Sequence, residues 1–420
     1  MGDNEQKMDT NVNKKTREIP NVPNLRFKTY TSDWTKYRCS DFLKAYSTNS
    51  LSWDKLSYED SEGVLNLHYG LIHNGAPTLI DTSLYNLPKI IEAVPKSYEL
   101  CKNGDVIFAD ASEDTNDICK PVEICKTNGK PIVSGLHTIH TRDYKDLTCV
   151  GFKGYLFSSK SFHKQVFRLT QGTKIFSINF SNFREMGVSI PQKEEQLKIV
   201  GFLSKIDERI STQSKIIEDL ELVKKGIYNH IFTQLNSVEK VLLEELLIDF
   251  NKRTLTDKQY PILSSTLSGI YLQEDYFNKQ AASASTEGYK IVPYGFATYR
   301  SMSDTGEFRF NLQTIVENGI VSPAYPVFTC IENYRLDFIL FCLNYYDDIK
   351  KQLFSMKQGG TRLALHFNSL CKLYIPQIDK EKQSKIMAIV NSYDAKIVVE
   401  KQILEKLKEQ KKFLLSNMFI

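Results

Sequence analysis

Apolar residues recur at alternating steps of four and three along two stretches of the chain. The first runs Ile199, Leu203, Ile206, Ile210, Gln213, Ile217, Leu220, Lys224, Ile227, Ile231; the second runs Ile386, Val390, Tyr393, Ile397, Glu400, Leu404, Leu407, Lys411, Leu414, Met418. This is the a/d spacing of a coiled-coil seam. Each seam predicts a helix about 50 Å long at about 1.5 Å per residue. Two seam positions in each stretch are polar, and they are the same two: Gln213 with Glu400, and Lys224 with Lys411. Polar seam residues cost stability but fix register and orientation. Two such helices in one chain bury their seams most simply on each other, and the globular segment between them favours an antiparallel pair. The alternative, that each helix packs on its own domain, calls for a wider apolar stripe than a strict a/d seam offers.

The seams belong to a longer repeat. Lys164, Gln165, Phe167, Gln171, Gly172 and Phe180 return about 187 residues later as Lys351, Gln352, Phe354, Gln358, Gly359 and Phe367. Both copies then reach Ile-Pro-Gln, at Ile190–Gln192 and Ile375–Gln377, and Gln196, Lys198, Ile199, Asp207 and Ile210 match Gln383, Lys385, Ile386, Asp394 and Ile397. A period this long is not a solenoid repeat. It marks a duplicated domain plus helix, and such a protein tends to have a pseudo-twofold axis and to read a two-part target.

Ahead of each repeated part lies a stretch that differs between the copies. In the first, Asp105–Asp110, Ile132–His140 and Leu147–Phe152 read as strands; in the second, Tyr294–Tyr299 and Ile320–Phe328 do. Ile132-Val133-Ser134 is echoed by Ile320-Val321-Ser322. Helical stretches, about Lys160–Leu169 and Tyr345–Met356, close each front part. Both read as mixed α/β or mostly β domains.

The 420 residues suffice for two or three domains. A hydrophobic content of 41% and a charged content of 25% describe a soluble globular chain. The net charge of +4 is mildly basic and compatible with a polyanionic partner. Eight cysteines without a CxxC pair read as free thiols. Residues 1–19 read as a polar, disordered leader, and no apolar run is long enough to span a membrane.

Catalytic motifs are missing. The chain has no GxxxxGK[ST] loop, no GxGxxG opening a helix, no HExxH, no GxSxG and no Asn-Pro-Pro-aromatic stretch. His137 and His140 sit in a strand-like run where odd spacing sends them to opposite faces, which argues against a metal pair. Cys119 and Cys125 lack partners at zinc-site spacing. Glu194-Glu195 and Glu244-Glu245 read as helix-start or solvated charges.

The layout as a whole resembles the specificity subunit of type I DNA restriction–modification systems. The resemblance covers about residues 20–420. It rests on the repeated order: front domain, Gln-Gly-Thr (171–173) or Gln-Gly-Gly-Thr (358–361), aromatic-rich strand, Ile-Pro-Gln, Gln-containing helix start and heptad helix. Pro23-Asn24-Leu25-Arg26-Phe27 followed by Trp34 also resembles the family's entry into its first domain. The resemblance implies an α+β fold of two mixed α/β target-recognition domains, separated by two long helices forming an antiparallel coiled coil. Its expected segments are 20–170 and 236–357 for recognition, and 171–235 and 358–420 for the repeated regions with their helices.

It further implies a non-catalytic subunit that reads a split sequence in double-stranded DNA. Two modification subunits carrying S-adenosylmethionine would methylate adenine, and restriction subunits using ATP and Mg would cut. The chain itself would hold no cofactor or metal and would work in the cytoplasm of a bacterium or archaeon, away from membranes. By residue type and loop context, the expected DNA contacts are Asn66, His68, Tyr69, His73, Asn74, His137, Arg142 and Lys145 in the first domain. In the second they are Tyr299, Arg300, Ser301, Ser303, Arg309, Asn311 and Tyr325. Lys174 and Arg362, just after the glycine-containing loops, are expected phosphate contacts; the alternative for those loops is a helix C-cap glycine followed by a strand. Two other readings stay open: a coiled-coil scaffold that binds no DNA, and a silent, recombining specificity copy.

Overall fold

The computed structural model describes residues 21–59, 62–91, 98–114, 117–172, 174–276, 285–355 and 363–420. The expected leader at 1–19 lies outside them. The chain divides into two compact units, Met1–Gln213 with Ile403–Ile420, and Ser214–Gln402.

In the first unit a five-stranded sheet has the order Leu43–Tyr46, Thr138–Asp143, Val106–Ala109, Pro121–Lys126, Leu79–Asp81. In the second a four-stranded sheet has the order Leu247–Asp249, Val327–Cys330, Ala297–Thr298, Asn311–Leu312. The first four strands of one sheet and the four of the other therefore follow the same chain order although their sequences differ, and Leu79–Asp81 adds a parallel edge to the first. Each unit is a mixed α/β domain, as the pattern predicted. Short strands at the unit's entry pair with the repeated region: Thr35–Arg38 runs antiparallel to Gly187–Ile190, and Lys240–Leu242 to Tyr374–Pro376.

Several expected elements differ. Leu147–Phe152 is no strand: Gly151, at φ 92°, turns the chain into the helix Phe152–Phe157. Ile132–His140 is two strands, Ile132–Ser134 and Thr138–Asp143, broken where His137 adopts φ 51°. Ile320–Phe328 likewise splits into parts of Asn318–Val321 and Val327–Cys330. Only Ala297–Thr298 of Tyr294–Tyr299 is strand, after a turn at Gly295. The helix expected over Tyr345–Met356 is Asp347–Ser355, and it is preceded by Leu336–Tyr345. That preceding helix is apolar nearly all round because it is buried on most sides, so no amphipathic period marks it. The helix Lys160–Leu169 forms as expected.

The long helices run Lys193–Leu235 and Lys380–Asn417. Every seam position named above is buried or half-buried. Within the first unit, Ile199, Leu203 and Ile206 share a core with Leu414, Met418 and Phe419. Within the second, Tyr228, Ile231 and Phe232 share a core with Ile386, Met387 and Val390. The start of each helix thus meets the end of the other, an antiparallel pairing.

The polar seam lysines have matching partners. Lys411 pairs with Asp207 and lies over the Tyr155 ring, while Lys224 pairs with Asp394 and lies over the Tyr228 and Tyr345 rings. Asp207 and Asp394 are themselves repeat-equivalent, so each lysine meets the same partner in its own unit. The repeated glutamines are structural too. Gln165 brackets Gly187, accepting from its N–H and donating to its C=O, and Gln352 does the same to Tyr374.

Candidate nucleic-acid interface

The second unit carries a cleft of about 1190 Å³. Arg300, Ser303, Arg309 and Tyr325, four of the residues expected to touch DNA, line it. The hairpin of Leu263–Thr266 and Gly269–Leu272 forms another wall and adds the hydroxyls of Ser264, Ser265, Thr266 and Ser268. Sequence reasoning missed this hairpin, because short serine runs carry no signal beyond that of a turn.

Arg300 is exposed. Arg309 donates to the Tyr345 hydroxyl at 2.8 Å, its guanidinium lies 4.9 Å from that ring's centre, and its Nε has no hydrogen-bond partner among the described residues. The other three expected readers are buried and shape the cleft instead. Tyr299 donates its hydroxyl to Leu365 O, and Ser301 donates to Ala324 O, which ties down the turn bearing Tyr325. Asn311 donates to Ser265 Oγ and Thr266 O and so holds the hairpin.

In the first unit, His68, His73 and His137 surround Tyr69, with ring centres 4.6, 5.9 and 5.3 Å from it. Of these, His137 is the exposed one, its side chain 53% accessible. His68 caps the helix Tyr69–His73 by accepting from Gly70 N–H, and burial, followed by the nearness of His137, holds its pKa below the ordinary value. His73 Nε2 lies 2.8 Å from Ala111 O. Asn74 and Lys145 are exposed.

Asn66 is fully buried; its amide donates to Asn49 Oδ1 where Leu65–Leu67 runs parallel to Ile132–Ser134. Gly135 follows that strand, and a Cβ there would lie 2.4 Å from Asn66 Oδ1 and 2.8 Å from the His68 Cα. Only glycine lets the His137 turn approach the His68 segment so closely. Gly135→Ala should lower stability by about 1–3 kcal/mol through overpacking, read by denaturant unfolding. A loss below about 0.5 kcal/mol would show that the turn relaxes freely.

Arg142 is committed elsewhere. It donates to both oxygens of buried Asp105, to Glu99 and to Leu100 O. Burial works to raise the Asp105 carboxyl, but the Arg142 and His140 hydrogen bonds outweigh it and hold the pKa low. Cys101, Asp105 and His140 are the one trio at metal-ligand spacing among the described residues. With the guanidinium already on both Asp105 oxygens, the arrangement is an ion-pair network. Lys174 is exposed beside a tight turn in which Gln171 and Ser177 exchange backbone bonds. Gly172 there has φ 123°, and a Cβ on it would meet Ile175 O at 2.0 Å. The glycine thus serves a hairpin-like turn rather than a helix cap. Arg362 and the Gln-Gly-Gly-Thr loop lie outside the described residues, and the strand Leu363–Ala364 follows them.

Each unit is a mixed α/β domain, and the repeated elements recur in the same order in both. Residues 128–222 match the family model described as the type I restriction modification DNA specificity domain. The chain is similar in fold to the S subunit of a type I restriction–modification system from M. genitalium, at 17% identity and a TM-score of 0.57, over 95% of this chain and 99% of that one. A second similar chain comes from a study of complex assembly and conformational transition of the type I R-M system, at 13% identity and a TM-score of 0.55, over 91% of this chain and 96% of that one. The resemblance read from the repeats is therefore found in sequence over residues 128–222 and in fold over nearly the whole chain. Among the described residues, no helix is long and apolar enough to cross a membrane.

Proposed function

We propose that the chain is the non-catalytic reading subunit of a type I restriction–modification complex in the cytoplasm. Each unit reads one half of a split target in double-stranded DNA, and the paired helices set the unspecified gap. Two modification subunits bring S-adenosylmethionine and methylate adenine; restriction subunits bring ATP and Mg and cut. The observation that carries this reading is a scaffold whose helix seams, glutamines and lysine–aspartate pairs recur at equivalent positions while the front parts it supports differ. Equivalent scaffolds suit two copies of one partner, and different front parts suit two different half-sites.

Removing one heptad from each long helix, at equivalent positions, should change the gap in the recognised site or abolish recognition. Each unit should still unfold cooperatively. An unchanged gap in the methylated motif would defeat the role given to the helices.

A further inference from the structure

The lip of each unit is a short strand pairing, and the two correspond residue by residue through their backbone bonds. In the first unit Ala111 pairs with Ser177 and Ser112 with Phe176; in the second Met302 pairs with Ala364 and Ser303 with Leu363. Ile178 N–H donates to Asp110 O, and Leu365 N–H donates to Ser301 O. Buried Phe108 and buried Tyr299 stand two positions before these acceptors. Asp110 is thus the counterpart of Ser301.

The facing residues correspond as well. Asp110 N–H donates to His137 O, with His137 Nδ1 3.5 Å from Asp110 Oδ1, whereas Ser301 Oγ donates to Ala324 O. One scaffold position therefore carries a carboxylate–imidazole pair in the first unit and a serine with an alanine in the second. Asp110 Oδ1 is buried and faces the His137 ring across that 3.5 Å gap. The His137 ring, edge-on to Tyr69 at 85°, turns Nδ1 towards the carboxylate, which leaves Nε2 for a partner outside. The groups around it are Asp110, Tyr69 and, beyond Tyr69, His68 and His73.

We propose that His137 contacts DNA in the first unit through Nε2, that Asp110 positions it, and that the protonated ring binds an acceptor atom on the DNA. This rests on the reading of the chain as a specificity subunit. An imidazolium beside a carboxylate donates from both nitrogens, so Nε2 can meet guanine N7 or O6, or a phosphate oxygen. Protonation of the ring is what makes Nε2 a donor while Nδ1 faces the carboxylate, so this contact strengthens as pH falls. The second unit has no titratable pair at the matching position, so its half-site should show no such dependence.

The test uses the full chain assembled with its modification subunits on a randomised DNA library, with motif and affinity read at pH 6 and pH 8. The wild-type complex should bind a split motif about three- to tenfold more tightly at pH 6 in the part owed to the first half-site. His137→Gln should remove that pH dependence and cost about tenfold at pH 6, and Asp110→Asn should reduce both effects. Loss of preference at one position of one half-site identifies a base acceptor; an equal loss on all sequences with the motif unchanged identifies a phosphate. A pH dependence that survives both substitutions, or unchanged affinity at both pH values in His137→Gln, overturns the proposal. A wild-type complex with no split motif overturns the functional reading beneath it. His137→Gln keeps a polar side chain of similar reach at an exposed position, and a thermal melt confirms its fold.

Discussion

Replacing Glu123 with alanine should lower the stability of the first unit by about 3–5 kcal/mol, the range for breaking a buried ion pair from one side. The Glu123 side chain is fully buried. It accepts from Gly151 N–H at 2.8 Å and Gly154 N–H at 2.7 Å, and Lys153 Nζ lies 3.4 Å away. Burial pushes the carboxyl above its ordinary pKa, against the pull of Lys153 and the two amides. Alanine would leave the Lys153 ammonium, itself only 3% exposed, with Thr148 Oγ1 but no counter-charge. It would also leave both glycine amides at the start of Phe152–Phe157 unbonded. Glu123→Gln should cost less, because an amide oxygen still serves one N–H. Urea unfolding measures both; a loss under 1 kcal/mol for the alanine variant would show that water replaces the carboxylate.

The second large effect is expected twice. Gln196 accepts from Cys149 N–H and donates to Leu147 O and Pro191 O, and Gln383 accepts from Arg335 N–H and donates to Ile378 O. Both are fully buried at the starts of the long helices. Leucine at either position removes the bonds and strands buried backbone groups, each worth about 1–3 kcal/mol. Gln196→Leu and Gln383→Leu should each lose about 2–4 kcal/mol, the first somewhat more because it strands one group more. A large loss at one position and none at the other would contradict equivalent roles for the repeated glutamines.

These residues show how much the sequence could reveal. The seams were legible because burial imposes a period that survives divergence, and the seam lysines stood out as polar interruptions with nothing to mark Asp394 and Asp207 as their partners. The repeated glutamines stood out, but most of their backbone partners in the first copy lie 22 to 49 residues away, beyond any local pattern. Candidate readers chosen by residue type divided. Arg300 and His137 reached an exposed lip, whereas Tyr299, Ser301, Asn311 and Asn66 were drawn into positioning it, since hydroxyls and amides serve buried ladders as readily as DNA. Asp110 was missed because a search for phosphate and base donors passes over carboxylates. Its one signal was a charged residue closing a strand, Val106–Ala109, that is buried throughout.

The central claim is that this chain directs modification to a split DNA sequence. Its most direct test is to map adenine methylation across the genome of cells expressing the modification subunit with this chain and of cells expressing the modification subunit alone. The account predicts a two-part motif with a fixed gap that appears only when the chain is present. A stable complex that adds no methylation would contradict it.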